Sequence, residues 1–225
     1  MQKSSAPNFD LLAKPYRWME YASFGRLLET CRFHFLPACD PARRALVLGD
    51  GDGRFTQRLL KANPSIEIDA VDASPRMLEE LRRRAVAANS GAGLRVRTFR
   101  ADIRNFIPEP RAYDLVVSHF FLDCLTQDEV AALVARLQPS MAPDAVWLIS
   151  DFAVPARGWR RAAAHLLIRS LYFAFFLLTR LRVQHLPDHV CALEHAGFSR
   201  LRQKTFLDGL LFTELWRMET TDDII

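Results

Sequence analysis

The sequence has no window of eighteen uncharged apolar residues, and so no stretch of the kind that crosses a bilayer as an ordinary helix. It has no block of five like charges, although Lys and Arg outnumber Asp and Glu by 30 to 26 and the formal net charge is +4. The basic residues are nearly all arginine and lie scattered, which describes a solvated surface; no nucleic-acid partner is expected, since its footprint would need clustering. Cysteine is scarce, with four residues at 31, 39, 124 and 191, no C-x-x-C and no paired His/Cys spacing. No metal centre is therefore expected, and reduced, structural thiols in a cytoplasmic protein are. The opening M-Q-K-S-S-A-P-N-F-D has no apolar run, so no secretory signal is expected there. Internal repeats and low-complexity tracts are missing as well. Half of the 225 residues are hydrophobic and a quarter charged, which argues against disorder and gives one domain ample length for a core.

What is present is organised around A-L-V-L-G-D-G-D-G, residues 45–53. A short apolar run feeds into glycines at alternate positions, Gly49, Gly51 and Gly53, and an amphipathic segment, Arg54 to Ala62, follows at once. That order describes a buried strand, a turn without Cβ atoms and a helix whose first N–H groups face outward, where a polar ligand can approach bare backbone. The same alternation repeats. Strands are expected at Ile66–Val71, Leu94–Phe99, Asp114–Ser118 and Ala145–Ser150. A helix is expected from Arg76 to about Ala88 behind the cap pair Ser74-Pro75, and another behind the capping box of Thr126 and Glu129. Ser199–Phe206 and Phe212–Met218, around Asp208-Gly209, read as an antiparallel hairpin at the sheet edge. From Tyr16 to Leu36 the chain reads as helical, with Pro37 and Pro41 bracketing a break.

The expected fold is α/β: a Rossmann-like, doubly wound, mostly parallel sheet of seven strands, with an antiparallel C-terminal hairpin and an N-terminal helical cap. The whole chain, 1–225, reads as one domain: cap 1–42, ligand-binding core 43–151, apolar helical insertion 152–186, and C-terminal helix and hairpin 187–225. The insertion is unusual. Its centre, residues 171–178, is apolar on every side of a helix. Between about Arg160 and Arg182 it reads as a lid over a lipophilic acceptor, a homodimer surface, a peripheral membrane contact or a wholly buried helix.

In open parallel sheets, ligands sit beyond the carboxyl ends of the strands at the point where strand order reverses. Those ends carry the glycine turn, Asp72, Asp102, Ser118-His119 and Asp151. Asp72 lies 19 positions beyond Gly53, where an acid at the end of the second strand reaches ribose hydroxyls. A dinucleotide fingerprint, G-x-G-x-x-G, would require glycine at position 54, which is Arg54.

The series G-D-G-D-G, V-D-A-S-P-R-M-L, R-A-D-I-R-N-F and Y-D-L-V-V-S-H-F-F resembles the class I S-adenosylmethionine-dependent methyltransferases, from about Arg44 to Ser150. The opening N-F-D-L-L-A-K-P-Y is similar to ubiquinone/menaquinone-biosynthesis C-methyltransferases. The resemblance implies S-adenosylmethionine as cofactor. It places Gly49, Gly51 and Gly53 at the cofactor's methionine and ribose, and Asp72 with Ala73 at the ribose hydroxyls. Met77 goes beside the adenine, Asp102 and the Ile103 N–H at its edge, and Ser118 and His119 at the methionine end. Tyr16 and Tyr21 would close over the site. Many relatives carry an acid two positions before the first glycine, where this chain has Val47; Asp50 and Asp52 are expected to replace it at the methionine amino group. His119 is the candidate base, with Asp123 assisting. The remaining histidines, 34, 165, 185, 189 and 195, suggest no ligand set. The expected activity is methyl transfer to a small, apolar or aromatic acceptor. A non-catalytic cofactor-binding protein and an aminopropyltransferase-like enzyme, suggested by the G-D-G turn, are the alternatives.

Overall fold

The computed structural model describes residues 26–89, 91–154 and 186–218. Helix α1 (Leu27–Phe33) and a 3-10 turn (Leu36–Cys39) precede strand β1 (Arg44–Leu48). The helix expected as far as Leu36 stops at Phe33, and Pro37, which has no N–H to continue an α-helix, is taken up in the first turn of the 3-10 segment. Next come α2 (Arg54–Ala62), β2 (Glu67–Asp72), α3 (Pro75–Val86), β3 (Val96–Arg100), β4 (Tyr113–His119), α4 (Gln127–Leu137) and β5 (Met141–Phe152). Beyond residues 155–185, α5 (His189–His195), β6 (Phe198–Phe206) and β7 (Leu211–Met218) complete the described chain. Tyr16, Tyr21 and the apolar segment 160–182 lie outside the described residues.

Local chemistry explains the helix boundaries. The Ser74 hydroxyl accepts the Met77 N–H at 3.3 Å, and Pro75 supplies a helical φ where no intrahelical N–H is needed. At α4 both arms of the capping box form: Glu129 N–H donates to Thr126 Oγ1 at 3.3 Å and Thr126 N–H to Glu129 Oε2 at 2.9 Å. Its buried residues Val130, Leu133, Val134 and Leu137 follow the 3.6-residue period. Helix α2 stops at Asn63, before Pro64; the Asn63 amide donates to the carbonyls of Asp40 and Ala42 and pins the helix end to the entry of β1.

The seven strands pair in the order β3-β2-β1-β4-β5-β7-β6. The first five are parallel, and β7 runs antiparallel to both neighbours. The expected hairpin is therefore present, but β7 lies inside the sheet, and of the two hairpin strands only β6 stands at a sheet edge. Strand β5 is longer than expected, beginning at Met141 with its ladder to β4 shifting register between Tyr113 and Leu115. Both faces are covered. Leu46, Leu48, Val116, Trp147 and Ile149 pack with α4 and α5; Ala45, Val47, Leu115, Val117 and Leu148 pack with Phe55, Leu59, Leu60 and Leu81 of α2 and α3. Val47 is 1 % exposed in the second layer, a core position.

Candidate functional site

The order of the sheet reverses between β1 and β4, which pair side by side from Ala45–Leu115 to Leu48–Ser118. Their carboxyl ends therefore bring the glycine turn beside His119, Phe120 and Phe121. Short backbone bonds hold the neighbouring ends in line: Gly49 N–H to Val71 O at 2.9 Å, Ala101 N–H to Asp72 O at 3.2 Å, and Phe120 N–H to Ser150 O at 2.7 Å.

All three turn glycines have positive φ: +61° at Gly49, +60° at Gly51 and +84° at Gly53. A Cβ on Gly53 would stand 2.6 Å from the Leu81 Cα, so this glycine lets α2 close on α3. Around Gly51 a Cβ would meet only the Met77 sulfur, at 3.8 Å, so the missing side chain keeps an open cradle beside that methionine. At Gly49 a Cβ would fall 2.3 Å from the Phe121 ring, which is seated directly on the turn.

The two turn aspartates are held by the protein. Asp50 accepts the N–H groups of Phe55 at 3.2 Å and Thr56 at 2.8 Å, serving the first turn of α2 as a cap from inside the loop. Burial raises its carboxyl above the usual range, opposed by the Arg32 charge and the Thr56 N–H. Asp52 pairs with Arg54 Nε at 3.0 Å and Arg84 Nη2 at 2.8 Å. Asp50 and Asp52, expected at the methionine amino group, are therefore largely answered by protein donors.

On the nucleoside side, Asp72 Oδ1 accepts the Ser74 N–H at 2.8 Å and Asp102 Oδ1 accepts the Arg104 N–H at 3.0 Å. Each carboxylate is oriented by a turn of its own and partly exposed, as is Ala73. Ile103 and Met77 are both 7 % exposed and give that side apolar walls. Two oriented carboxylates, an open glycine cradle and apolar walls fit an adenosine-bearing group.

On the other side, His119 is 4 % exposed, and both ring nitrogens lack a hydrogen-bond partner among the described residues. Its ring meets Phe55 edge-on at 4.5 Å. Burial, with the Arg32 charge second, holds the imidazole neutral to well below its usual pKa. Ser118, on the opposite face of the strand, accepts from Trp147 Nε1 at 3.0 Å and is 1 % exposed. Asp151, buried, and Asp123, half-buried, are adjacent acids: the Asp123 backbone N–H donates to Asp151 Oδ2 at 3.1 Å. Desolvation raises both, the Asp123 carboxyl up to about 6, and the Asp123 charge pushes Asp151 further up. Cys124 donates its thiol to Asp123 Oδ1 at 3.4 Å and is itself pushed well above a free thiol, chiefly by burial.

Two features escaped the sequence reading. Arg32, 5 % exposed, lies with its guanidinium carbon 5.4 Å from the Phe120 ring centre; it sits in an ordinary helical stretch and no pattern marks it. Phe120 has φ +52°, an uncommon conformation for an aromatic residue. It turns the chain so that His119 faces α2, Phe120 faces Arg32 and Phe152, and Phe121 lies on Gly49. The S-H-F-F string was visible, but not its reversal. A separate groove of about 420 Å³ between the 34–38 segment and β6 contains none of these residues. Among the described residues, no helix is long and apolar enough to cross a membrane.

Comparison with known proteins supports the same assignment. Residues 46–147 match the methyltransferase-domain family. Over 129 residues the chain is 30 % identical to a trans-aconitate 2-methyltransferase of Rhodococcus jostii (strain RHA1), covering 57 % of this chain and 44 % of that protein. Over 109 residues it is 33 % identical to human N-terminal Xaa-Pro-Lys N-methyltransferase 1, covering 48 % of this chain and 46 % of the relative. The chain thus spans less than half the length of these curated relatives. Among solved structures, the mitomycin 7-O-methyltransferase MmcR aligns with TM-score 0.70 at 20 % identity over 96 % of this chain and 62 % of its own. The N-methyltransferase NodS from Bradyrhizobium japonicum WM9 aligns with TM-score 0.58 at 13 % identity, covering 92 % and 98 %. Residues 46–147 thus match a methyltransferase-domain family, and the sheet order and glycine turn are those of the fold shared with the solved methyltransferases.

Proposed function

We propose that this protein transfers a methyl group from S-adenosylmethionine to a small, apolar or aromatic acceptor. The observation that carries the reading is the junction of the glycine turn with His119, Phe120 and Phe121 at the β1/β4 reversal, because it sets a nucleoside cradle against a largely apolar end. Gly49, Gly51 and Gly53 take the methionine and ribose portion, Asp72 and Ala73 the ribose hydroxyls, Met77 the adenine face, and Asp102 with the Ile103 N–H the adenine edge. Asp50 and Asp52 act by fixing the turn. When bound, the cofactor supplies an electrophilic methyl group on sulfur, so the protein's tasks are to orient the acceptor, exclude water and receive a proton.

His119 receives that proton at whichever ring nitrogen faces the acceptor; it is neutral at physiological pH, which makes it available though a modest base. Asp123, with its raised carboxyl, assists. A lid formed by 160–182 over a lipophilic acceptor belongs to the same proposal, with a peripheral membrane contact or a homodimer surface as the alternative uses of that segment; each rests on its apolar sequence. Calorimetry with S-adenosylmethionine and S-adenosylhomocysteine tests the binding claim: wild type binds both, and a folded Asp72→Ala variant loses at least tenfold in affinity. Failure of both ligands to bind wild type would end the proposal. Binding without release of S-adenosylhomocysteine across a broad panel of phenols, carboxylic acids and amines would leave a non-catalytic binding protein.

A further inference from the structure

The methyl donor carries a positive sulfonium, and the turn that would receive it contains two aspartates, Asp50 and Asp52, whose negative charge would suit it. The structure removes most of that anion. Asp52 is paired with Arg54 and Arg84, Asp50 accepts two N–H groups from α2, and position 47 is a buried valine. Arg32 adds a buried positive charge on the same side, acting on both Asp50 and His119. What does stand against the first glycine is an aromatic ring: a Cβ on Gly49 would be 2.3 Å from Phe121 Cδ2 and 2.9 Å from Cε2. The ring is only partly buried. It is aimed there by the left-handed Phe120, whose N–H is fastened to Ser150 O and whose own ring is packed 5.4 Å from Phe152.

We infer that Phe121 is the cation-recognising element of this site, its ring, seated on the Gly49 side of the turn, receiving the sulfonium in place of a carboxylate. An aromatic face attracts a weakly hydrated cation, more strongly as water is excluded, and does so without the desolvation cost of a buried carboxylate. Phe120 is the positioning residue, acting through the backbone turn. The inference deepens the methyltransferase proposal and rests on it. It predicts discrimination by charge. S-adenosylmethionine has the sulfonium; S-adenosylhomocysteine has a neutral thioether of nearly the same shape.

The test compares calorimetric Kd values for these two ligands across variants at position 121, with thermal melts reporting folding. Phe121→Leu is expected to weaken S-adenosylmethionine about three- to tenfold while S-adenosylhomocysteine stays within about twofold. Phe121→Tyr retains the wild-type ratio. Should the leucine variant not fold, 4-fluoro- and 3,4,5-trifluorophenylalanine at position 121 preserve the shape while draining the π face; affinity for the charged ligand then falls with each added fluorine. Equal weakening of both ligands, or a flat fluorine series, overturns the inference and leaves Phe121 as packing. Absence of any binding by wild type overturns the methyltransferase proposal itself, so the two failures are distinguishable.

Discussion

At the scale of single residues, the chemistry concentrates where β4 ends. Phe120 holds φ +52°, which costs an L-residue about 1–2 kcal/mol relative to glycine. Its ring is 8 % exposed, so any truncation also leaves a cavity. The two effects separate by comparing truncations. Phe120→Gly is expected to be more stable than Phe120→Ala by about 1 kcal/mol in chemical denaturation, the reverse of the order found in helices. An equal or inverted result would mean the left-handed turn is not held in solution. The titrating groups give a second expectation. His119 stays neutral to well below 6.5, whereas Asp123 titrates near 6. If His119 alone receives the proton, kcat/KM remains level from pH 8 down through 6. If Asp123 assists in its ionised form, the rate falls as pH drops through about 6, and Asp123→Asn removes that limb. Stability has the opposite sign for this carboxyl: its folded pKa lies above the unfolded 3.8, so acidification from 7 toward 4 favours the fold through Asp123.

Secondary elements carry the site by the way they begin. The G-D-G-D-G turn is at once the end of β1 and the start of α2, with Asp50 capping the helix and Gly53 allowing it to approach α3. A side chain at Gly53 meets backbone, since a Cβ would stand 2.6 Å from Leu81 Cα, and it would also have to adopt φ +84°. Gly53→Ala is therefore expected to lose at least about 2 kcal/mol in urea unfolding, from overpacking plus backbone strain, and to weaken cofactor binding in parallel. A neutral Gly53→Ala would show that α2 and α3 can part without cost. Helix caps were the most legible features in the chain. Ser74-Pro75 and the Thr126/Glu129 box announce local hydrogen bonds made within four residues, and both form as read. Strand ends were less legible: β5 starts four residues before the expected Ala145, because partnership with Tyr113 on β4, not local propensity, decides where the ladder begins.

At the scale of the whole molecule, the opposite end of the sheet is tied by Asp69, 2 % exposed in β2. It accepts from Arg97 Nε and Nη2, both at 2.6 Å, from Arg44 Nη2 at 3.2 Å and from the Tyr113 hydroxyl at 2.7 Å, linking β1, β2, β3 and β4. Desolvation opposes ionisation, but these donors together hold its pKa below the usual value. Its stabilisation is thus present above the unfolded pKa of 3.8 and lost as pH falls through the lower folded value. Asp69→Asn should cost about 1–3 kcal/mol near neutrality, discounted because Arg97 is half exposed and keeps its water. The loss should shrink below pH 4, and a pH-independent difference would assign the effect to packing.

By itself, the sequence determined the alternation of strands and helices, the left-handed glycine turn and the acids at the ends of β2 and β3. Each of these is written in local periodicity, in the φ preference of glycine or in a spacing along one unit. Only the tertiary structure decided what surrounds the turn. Whether Asp50 and Asp52 are available to a ligand depends on Arg84, Phe55 and Thr56, brought in by two helices. That Phe121 lies on Gly49 follows from the pairing of β4 with β1, 70 residues apart in Ala45–Leu115, together with one strained residue between them. Charge and aromatic character can be read along a chain; which of them meets a ligand is settled by long-range packing.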